Sequence, residues 1–338
     1  MSFYIPRFSL KRLTGLLFAA VGIGLVGVIA AILIASSKFI TPKRRVLESR
    51  HHEMLTRPAD YGLDLEPFVV TTHDGIALSA ILATRAKNPG VAEKTRRMAA
   101  RLGQNFHSAV PRPHGTVIFL HGRGGCKEDM LSIAQRFVAG GYRCLVYDAR
   151  AHGTSRGVAC TYGKHETRDL SAVLDRISVL LEERGEIPGQ VCAMGISLGG
   201  SVVLQALPNE PRIDAAIVVS AFAELSELVH RSVKRNIHPQ LPDWLINASI
   251  QIGGMRADFD PFAIAPLREA TVATTPIFFA HGALDKVIPL SHSERLHDAA
   301  PEPKVLRVVQ KGYHSNVLAE GGDALYQEMI EFCLDLRP

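Results

Sequence analysis

Six short apolar runs, each about the length of a β-strand and each closed by a turn, limit this chain to very few architectures. They are Thr116–Leu120, Tyr142–Asp148, Val191–Ile196, Ile213–Ser220, Pro276–Ala280 and Lys304–Gln310. β-branched and aromatic residues dominate them, and Thr116–Leu120, Tyr142–Asp148 and Ile213–Ser220 read as strands buried on both faces. Between them lie stretches with helical spacing: Met130–Ala139, then Leu170, Val173, Leu174 and Ile177, then Val202, Val203, Leu204 and Ala206. Ala324–Leu336 closes the chain as one more amphipathic helix. Strand and helix therefore alternate as βαβαβ, which requires a mostly parallel central sheet with helices on both faces. The 338 residues, 47% of them hydrophobic and 21% charged, suffice for one large α/β domain with extensions.

Chemistry is concentrated where these strands end. After the third run comes Gly195-Ile196-Ser197-Leu198-Gly199 and then a helix. G-x-S-x-G at a strand-to-helix turn is a nucleophile elbow, in which small flanking residues permit a strained backbone that lifts the serine oxygen above the sheet. The helix behind it directs its positive end at the same point. Three more strand ends carry His121-Gly122-Arg123-Gly124-Gly125, His281-Gly282-Ala283-Leu284-Asp285 with Ile288-Pro289 behind it, and Gly312-Tyr313-His314.

H-G-x-G-G, G-x-S-x-G, H-G-x-x-D and G-x-H in this order resemble the α/β-hydrolase family over about residues 65–336. The resemblance implies a catalytic triad of nucleophile Ser197, acid Asp285 and base His314, in the family's order Ser, Asp, His. It also implies an oxyanion hole made by the backbone N–H groups of Arg123 and Leu198. His121 is expected to brace its loop. In Asp148-Ala149-Arg150-Ala151-His152-Gly153, which is similar to another family segment, His152 is expected to be structural and Asp148 to pair with Arg150. Glu224, after the Ile213–Ser220 run, is the alternative acid. The stretch from about 223 to 270, with Leu225–Ile237 as one helix and Trp244, Phe259 and Phe262 beyond it, resembles the small cap that covers the site in this family.

The amino-terminal part is of another kind. After a short basic stretch, 1–12, residues 13–37 carry no charge, and about 20 apolar residues at about 1.5 Å each span a hydrocarbon core of about 30 Å. A retained transmembrane helix is expected in preference to a cleaved signal peptide, whose apolar region is shorter. Lys38, Lys43, Arg44, Arg45, Arg50 and Arg57 outnumber the basic residues ahead of the span, which favours a cytoplasmic catalytic domain on a single-pass anchor. Gly22-Ile23-Gly24-Leu25-Val26-Gly27 matches G-x-G-x-x-G but joins no strand to a helix, so it is no dinucleotide site. Gly27, Ala31 and Ala35 at four-residue spacing are ordinary for a membrane helix.

Residues 38–64 read as a polar linker in which His51-His52-Glu53 does not form a metal site. The α/β-hydrolase domain then runs from 65 to 338. Glu66–Ala83 is a hairpin turning at Asp74-Gly75. Arg85–Pro113 reads as a solvated insertion with a short basic helix between Val91 and Leu102. The net charge of +5 comes with no basic block interleaved with aromatics, so nucleic acid is not an expected partner. Cys126, Cys144, Cys160, Cys192 and Cys333 lack C-x-x-C spacing and indicate neither a disulfide framework nor zinc; no cofactor and no metal are expected. The expected function is a membrane-anchored serine hydrolase that cleaves small acyl substrates, carboxylic esters or thioesters, through an acyl-enzyme. A serine peptidase on the same triad and a catalytically silent, membrane-tethered binding module are the alternatives.

Overall fold

A computed structural model describes residues 10–104 and 112–335 of the chain. Eight strands form one sheet in the order β1-β2-β4-β3-β5-β6-β7-β8. β1 (Leu63–Thr71) and β2 (Ala77–Arg85) are the expected hairpin, antiparallel to each other, and β2 is antiparallel to β4. From β4 (Arg143–Tyr147) through β3 (Gly115–Leu120), β5 (Gln190–Ile196), β6 (Ala215–Val219) and β7 (Ile277–Gly282) to β8 (Lys304–Val309) every pair is parallel. Their carboxyl ends therefore line up along one edge of the sheet.

Both faces of the inner strands are covered, which is why β3, β5, β6 and β7 are almost wholly apolar. Ile118, Leu120, Ala193, Ala216 and Val218 face a core shared with α5 (Glu166–Glu183) and α6 (Leu198–Ala206). The alternate residues Val117, Phe119, Met194, Ile217 and Val219 face a second core under α4 (Lys127–Ala139) and α11 (Val317–Asp335). Period-two alternation sends neighbours to opposite faces, so a strand between two helical layers has no polar side. All five cysteines are buried and free, Cys144 and Cys192 within strands as expected.

Two segments are more firmly attached than the sequence suggested. The basic helix α3 (Glu93–Arg101) buries Thr95, Met98 and Ala99 against the second core, so it is no solvated insertion. Residues 105–111 of that insertion lie outside the described residues. The stretch read as a polar linker is also clasped to the domain. Arg44 donates to the carbonyl oxygens of His152, Gly153 and Ser155 at 2.6–3.1 Å. α2 (Ser49–Thr56) follows, with the Nδ1 of buried His51 accepting from the Glu48 N–H and its Nε2 3.1 Å from Asp129.

α1 (Leu10–Ile40) continues three residues beyond the expected end at residue 37, and its part Val21–Ile40 is long and apolar enough to cross a membrane. Val21, Ile23, Leu25 and Val26 are exposed, whereas Ile32, Ser36 and Ile40 are buried against the domain. A Cβ at Gly27 would meet nothing within 4 Å, so the packing face of the helix is not the Gly27, Ala31, Ala35 row.

Between β6 and β7 the chain makes its long excursion through α7 (Leu225–Asn236), α8 (Asp243–Arg256) and the short α9 (Pro266–Ala270). α8 packs on the last turn of α1. A Cβ at Gly253 would lie 2.8 Å from a ring carbon of Phe39 and 3.3 Å from the carbonyl oxygen of Ser36. Only glycine lets the two helices come so close.

Candidate active site

β5 ends at Ile196, and Ser197 takes φ 55°, ψ −117° before α6 begins at Leu198. A side chain in this region is strained, and the surroundings hold it there. Its N–H donates to the Val219 carbonyl oxygen of the neighbouring strand at 2.7 Å. The flanking glycines are dictated by contact. A Cβ at Gly195 would lie 2.3 Å from the backbone of Gly199, and a Cβ at Gly199 would lie 2.1 Å from the carbonyl oxygen of Leu120 at the end of β3. The elbow and the H-G-x-G-G loop are thus pressed together. The Gly122 position lies so near Ser197 that a Cβ on it would be 3.4 Å from the serine Cβ. Leu198 is the first residue of α6, so its N–H has no partner within the helix.

Ser197 Oγ donates to His314 Nε2 at 3.1 Å, and His314 Nδ1 donates to Asp285 Oδ2 at 2.7 Å. The loops that carry the acid and the base touch through a pair of glycines, since a Cβ at Gly282 would be 2.3 Å from the carbonyl oxygen of Gly312. Asp285 Oδ1 accepts the N–H groups of Val287 and Ile288 at 2.8 and 2.9 Å. Burial alone would push this carboxyl up, but hydrogen bonds from His281 and His314 outweigh it and hold Asp285 well below the usual carboxylate range.

His281 is the residue whose part the sequence did not give. Its Nε2 sits 2.9 Å from the Ile288 carbonyl oxygen, which can only accept, so this nitrogen carries the proton. The same nitrogen is 3.3 Å from Asp285 Oδ2, and Nδ1 faces Ser293 Oγ at 2.6 Å. His281 therefore supports the carboxylate from behind. The only sequence signal was its place four residues ahead of the aspartate.

Glu224, the alternative acid, pairs with Arg295 at 2.5 Å. His121 braces its loop, with Nδ1 on the Gly122 carbonyl oxygen at 2.8 Å and Nε2 accepting from the Ala149 N–H at 3.1 Å. Its ring packs on His152, which is buried and bonded through Nδ1 to the Arg150 carbonyl oxygen. The expected pairing of Asp148 with Arg150 is not formed. Asp148 instead binds the ammonium and the backbone N–H of Lys127 and the N–H of Thr154, and Arg150 forks onto Asp169 at 2.6 and 2.7 Å and onto Asp74. Both residues still stiffen this loop, each through a partner from another part of the chain.

The side chain of Arg123 is engaged by α1. It donates to the carbonyl oxygens of Lys38 and Phe39 at 2.6 and 3.0 Å, in the last turn of α1. The hydroxyl of Tyr162 also donates to the Phe39 oxygen, and the Cys160 N–H donates to the Ile40 oxygen. A helix leaves its last carbonyls without partners, and here the site loops supply them.

With this geometry, the fold matches that of an esterase from Pyrococcus furiosus, Pf2001, with a TM-score of 0.62 at 19% identity over 87% of this chain and 99% of that one. A family profile described as serine aminopeptidase, S33, matches residues 111–260. The chain has the α/β-hydrolase fold. The profile match includes Ser197 and ends before Asp285 and His314. The chain is also similar to the putative esterase YitV of Bacillus subtilis, 26% identical over 206 residues that make up 58% of this chain and 76% of the relative. The uncharacterized protein YqkD of the same organism is 26% identical over 215 residues, 63% of this chain and 68% of the relative.

Proposed function

We propose that this chain is a membrane-anchored serine hydrolase that cleaves carboxylic esters or thioesters through an acyl-enzyme. The reading rests on one observation, the hydrogen-bonded chain from Ser197 Oγ through His314 to Asp285. A serine hydroxyl is a weak nucleophile at neutral pH. His314 takes its proton as Oγ bonds to the acyl carbon, and returns that proton to the departing alcohol or thiol. Water, deprotonated by His314, then attacks the acyl-serine and releases the acid and the free hydroxyl. Asp285 keeps the proton of neutral His314 on Nδ1 and stabilises the imidazolium. Charge that builds on the carbonyl oxygen is met by the backbone N–H groups of Leu198 and Arg123 and by the amino end of α6. The esterase relatives support ester substrates.

Helices α7 and α8 serve as the cap, and the span Val21–Ile40 of α1 is the anchor. The basic residues after α1 and the free cysteines favour the cytoplasmic side for the domain. The family description, serine aminopeptidase, favours a second reading in which the acyl group belongs to a peptide.

Rapid mixing of the detergent-solubilised chain with p-nitrophenyl acetate tests the proposal. A burst of about one p-nitrophenol per protein, with the acetyl group recovered on Ser197 by mass spectrometry, is expected. Turnover of amino-acid anilides without any ester burst would favour the peptidase. Failure of a folded chain on both leaves the silent binding module.

A further inference from the structure

The end of α1 docks on residues of the loops beside the site. Its last carbonyls are held by Arg123 and Tyr162, Ser36 and Ser37 accept hydrogen bonds from Arg256 at the end of α8, and Phe39 stacks on Tyr162 with ring centroids 4.9 Å apart. Ser197 touches Gly122, the neighbour of Arg123. One arginine side chain and two residues of backbone reach no more than about 20 Å, which bounds the distance from Ser197 to the point where α1 ends. The headgroup layer on each side of a bilayer adds only about 5–8 Å to the hydrocarbon core. A helix that crosses the membrane and ends here therefore sets the height of Ser197 over the lipid rigidly.

Two large apolar side chains stand exposed on the helix that packs on this junction. α8 buries Ile246, Ile250 and Gly253 on the side toward the domain and α1, and turns Trp244 and Met255 outward, 61% and 73% exposed. Exposed apolar groups beside the exit of an apolar span belong at the membrane interface, where tryptophan is enriched. The bilayer is thus the occupant of the outward face of α8, because the face is continuous with the span that enters it.

We propose that the substrate is an ester carried by the bilayer, a long-chain acyl lipid that reaches Ser197 from the membrane beside α1 and α8 and is hydrolysed there to fatty acid and alcohol. The proposal rests on the serine-hydrolase reading and adds where the substrate comes from. Each methylene drawn out of the bilayer into water raises the free energy, so a site tethered within about 20 Å of the end of the span reaches the ester of a lipid more readily than one free in solution.

The full chain in phosphatidylcholine vesicles is treated with two fluorophosphonate probes, one on a short ethylene-glycol arm that stays in water and one on a hexadecyl chain that stays in the bilayer. The hexadecyl probe is expected to label Ser197 at least tenfold faster. A ten-residue Gly/Ser insertion after Leu33 keeps residues 13–33 as the anchor and Ser36–Ile40 docked on the domain but frees the domain from the surface, and it is expected to slow the hexadecyl probe at least fivefold with the short probe within twofold of the unaltered chain. The double substitution Trp244→Ser, Met255→Ser, on exposed positions, is expected to slow the hexadecyl probe about threefold alone. Faster labelling by the short probe, or a hexadecyl rate untouched by both variants while the short probe reports an intact site, overturns the proposal. Absence of labelling by both probes in the folded unaltered chain refutes the serine-hydrolase reading itself.

Discussion

Replacing Asp285 by asparagine changes few atoms and should nearly abolish activity. The carboxylate accepts four polar contacts: two loop N–H groups, His314 Nδ1 at 2.7 Å and His281 at 3.3 Å. An asparagine keeps its oxygen on the Val287 and Ile288 N–H groups, because those donors require an acceptor. Its amide nitrogen then faces His314 and donates to Nδ1. The neutral imidazole must carry its proton on Nε2, where it can no longer accept from Ser197. Loss of the tautomer and of the negative charge together cost a triad about 10⁴ in kcat, or about 5.5 kcal/mol at 1.36 kcal/mol per tenfold. Steady-state hydrolysis of p-nitrophenyl acetate by detergent-solubilised Asp285→Asn measures this directly. Glu224→Gln, which frees one contact of Arg295 and touches nothing in the triad, is expected to stay within about threefold of the unaltered chain. A near-normal Asp285→Asn enzyme beside an inactive Glu224→Gln would refute the assignment of the acid.

Further outcomes follow from packing and burial. Gly199→Ala puts a Cβ 2.1 Å from the Leu120 oxygen and 2.8 Å from that of His121, both backbone atoms, so it should cost about 3 kcal/mol or more and abolish ester turnover. Differential scanning calorimetry, with a midpoint lowered by roughly 5 °C or more, would check it. Arg44→Ala removes the donor of four loop carbonyls and should lower stability by about 1–3 kcal/mol, seen as faster proteolysis of the junction between α1 and the domain. Burial pushes His152 down to about 3, with the positive charge of neighbouring groups adding to it. A histidine whose folded value lies below its unfolded value contributes stability that is complete above about pH 6.5 and lost as pH falls toward 3. Between pH 7 and pH 4.5 the unaltered chain should therefore lose about 2–3 kcal/mol more than His152→Gln in denaturant titrations. Equal losses would mean that His152 is not held neutral.

Much of this architecture was legible because its signals are local. A strand that ends in glycine needs only its own residues and the next turn to be recognised, and four such ends in order gave Ser197, Asp285 and His314 positions that the fold brings together. Contacts between distant segments left weaker traces. Asp148 and Arg150 are two residues apart and of opposite charge, yet each finds a better partner across the chain, in Lys127 and Asp169. α3 looked solvated because its charges dominate a short stretch, while Met98, which anchors it, is one residue among them. α8 escaped notice because apolar residues lie all round it, one side on the domain, one against α1 and one facing outward, and because Gly253 and Gly254 look like a helix end when they are a close approach. The clasp on residues 38–64 was hidden for a related reason. Arg44 and His51 look like solvated polar residues until the carbonyls and the carboxylate they meet are known.

The central claim is that Ser197 is an activated nucleophile, and labelling by a fluorophosphonate in detergent-solubilised membranes tests it most directly. The folded unaltered chain is expected to label and Ser197→Ala is not. A Ser197→Ala chain that labels as well as the unaltered one, or an unaltered chain that is folded and inert, would contradict it.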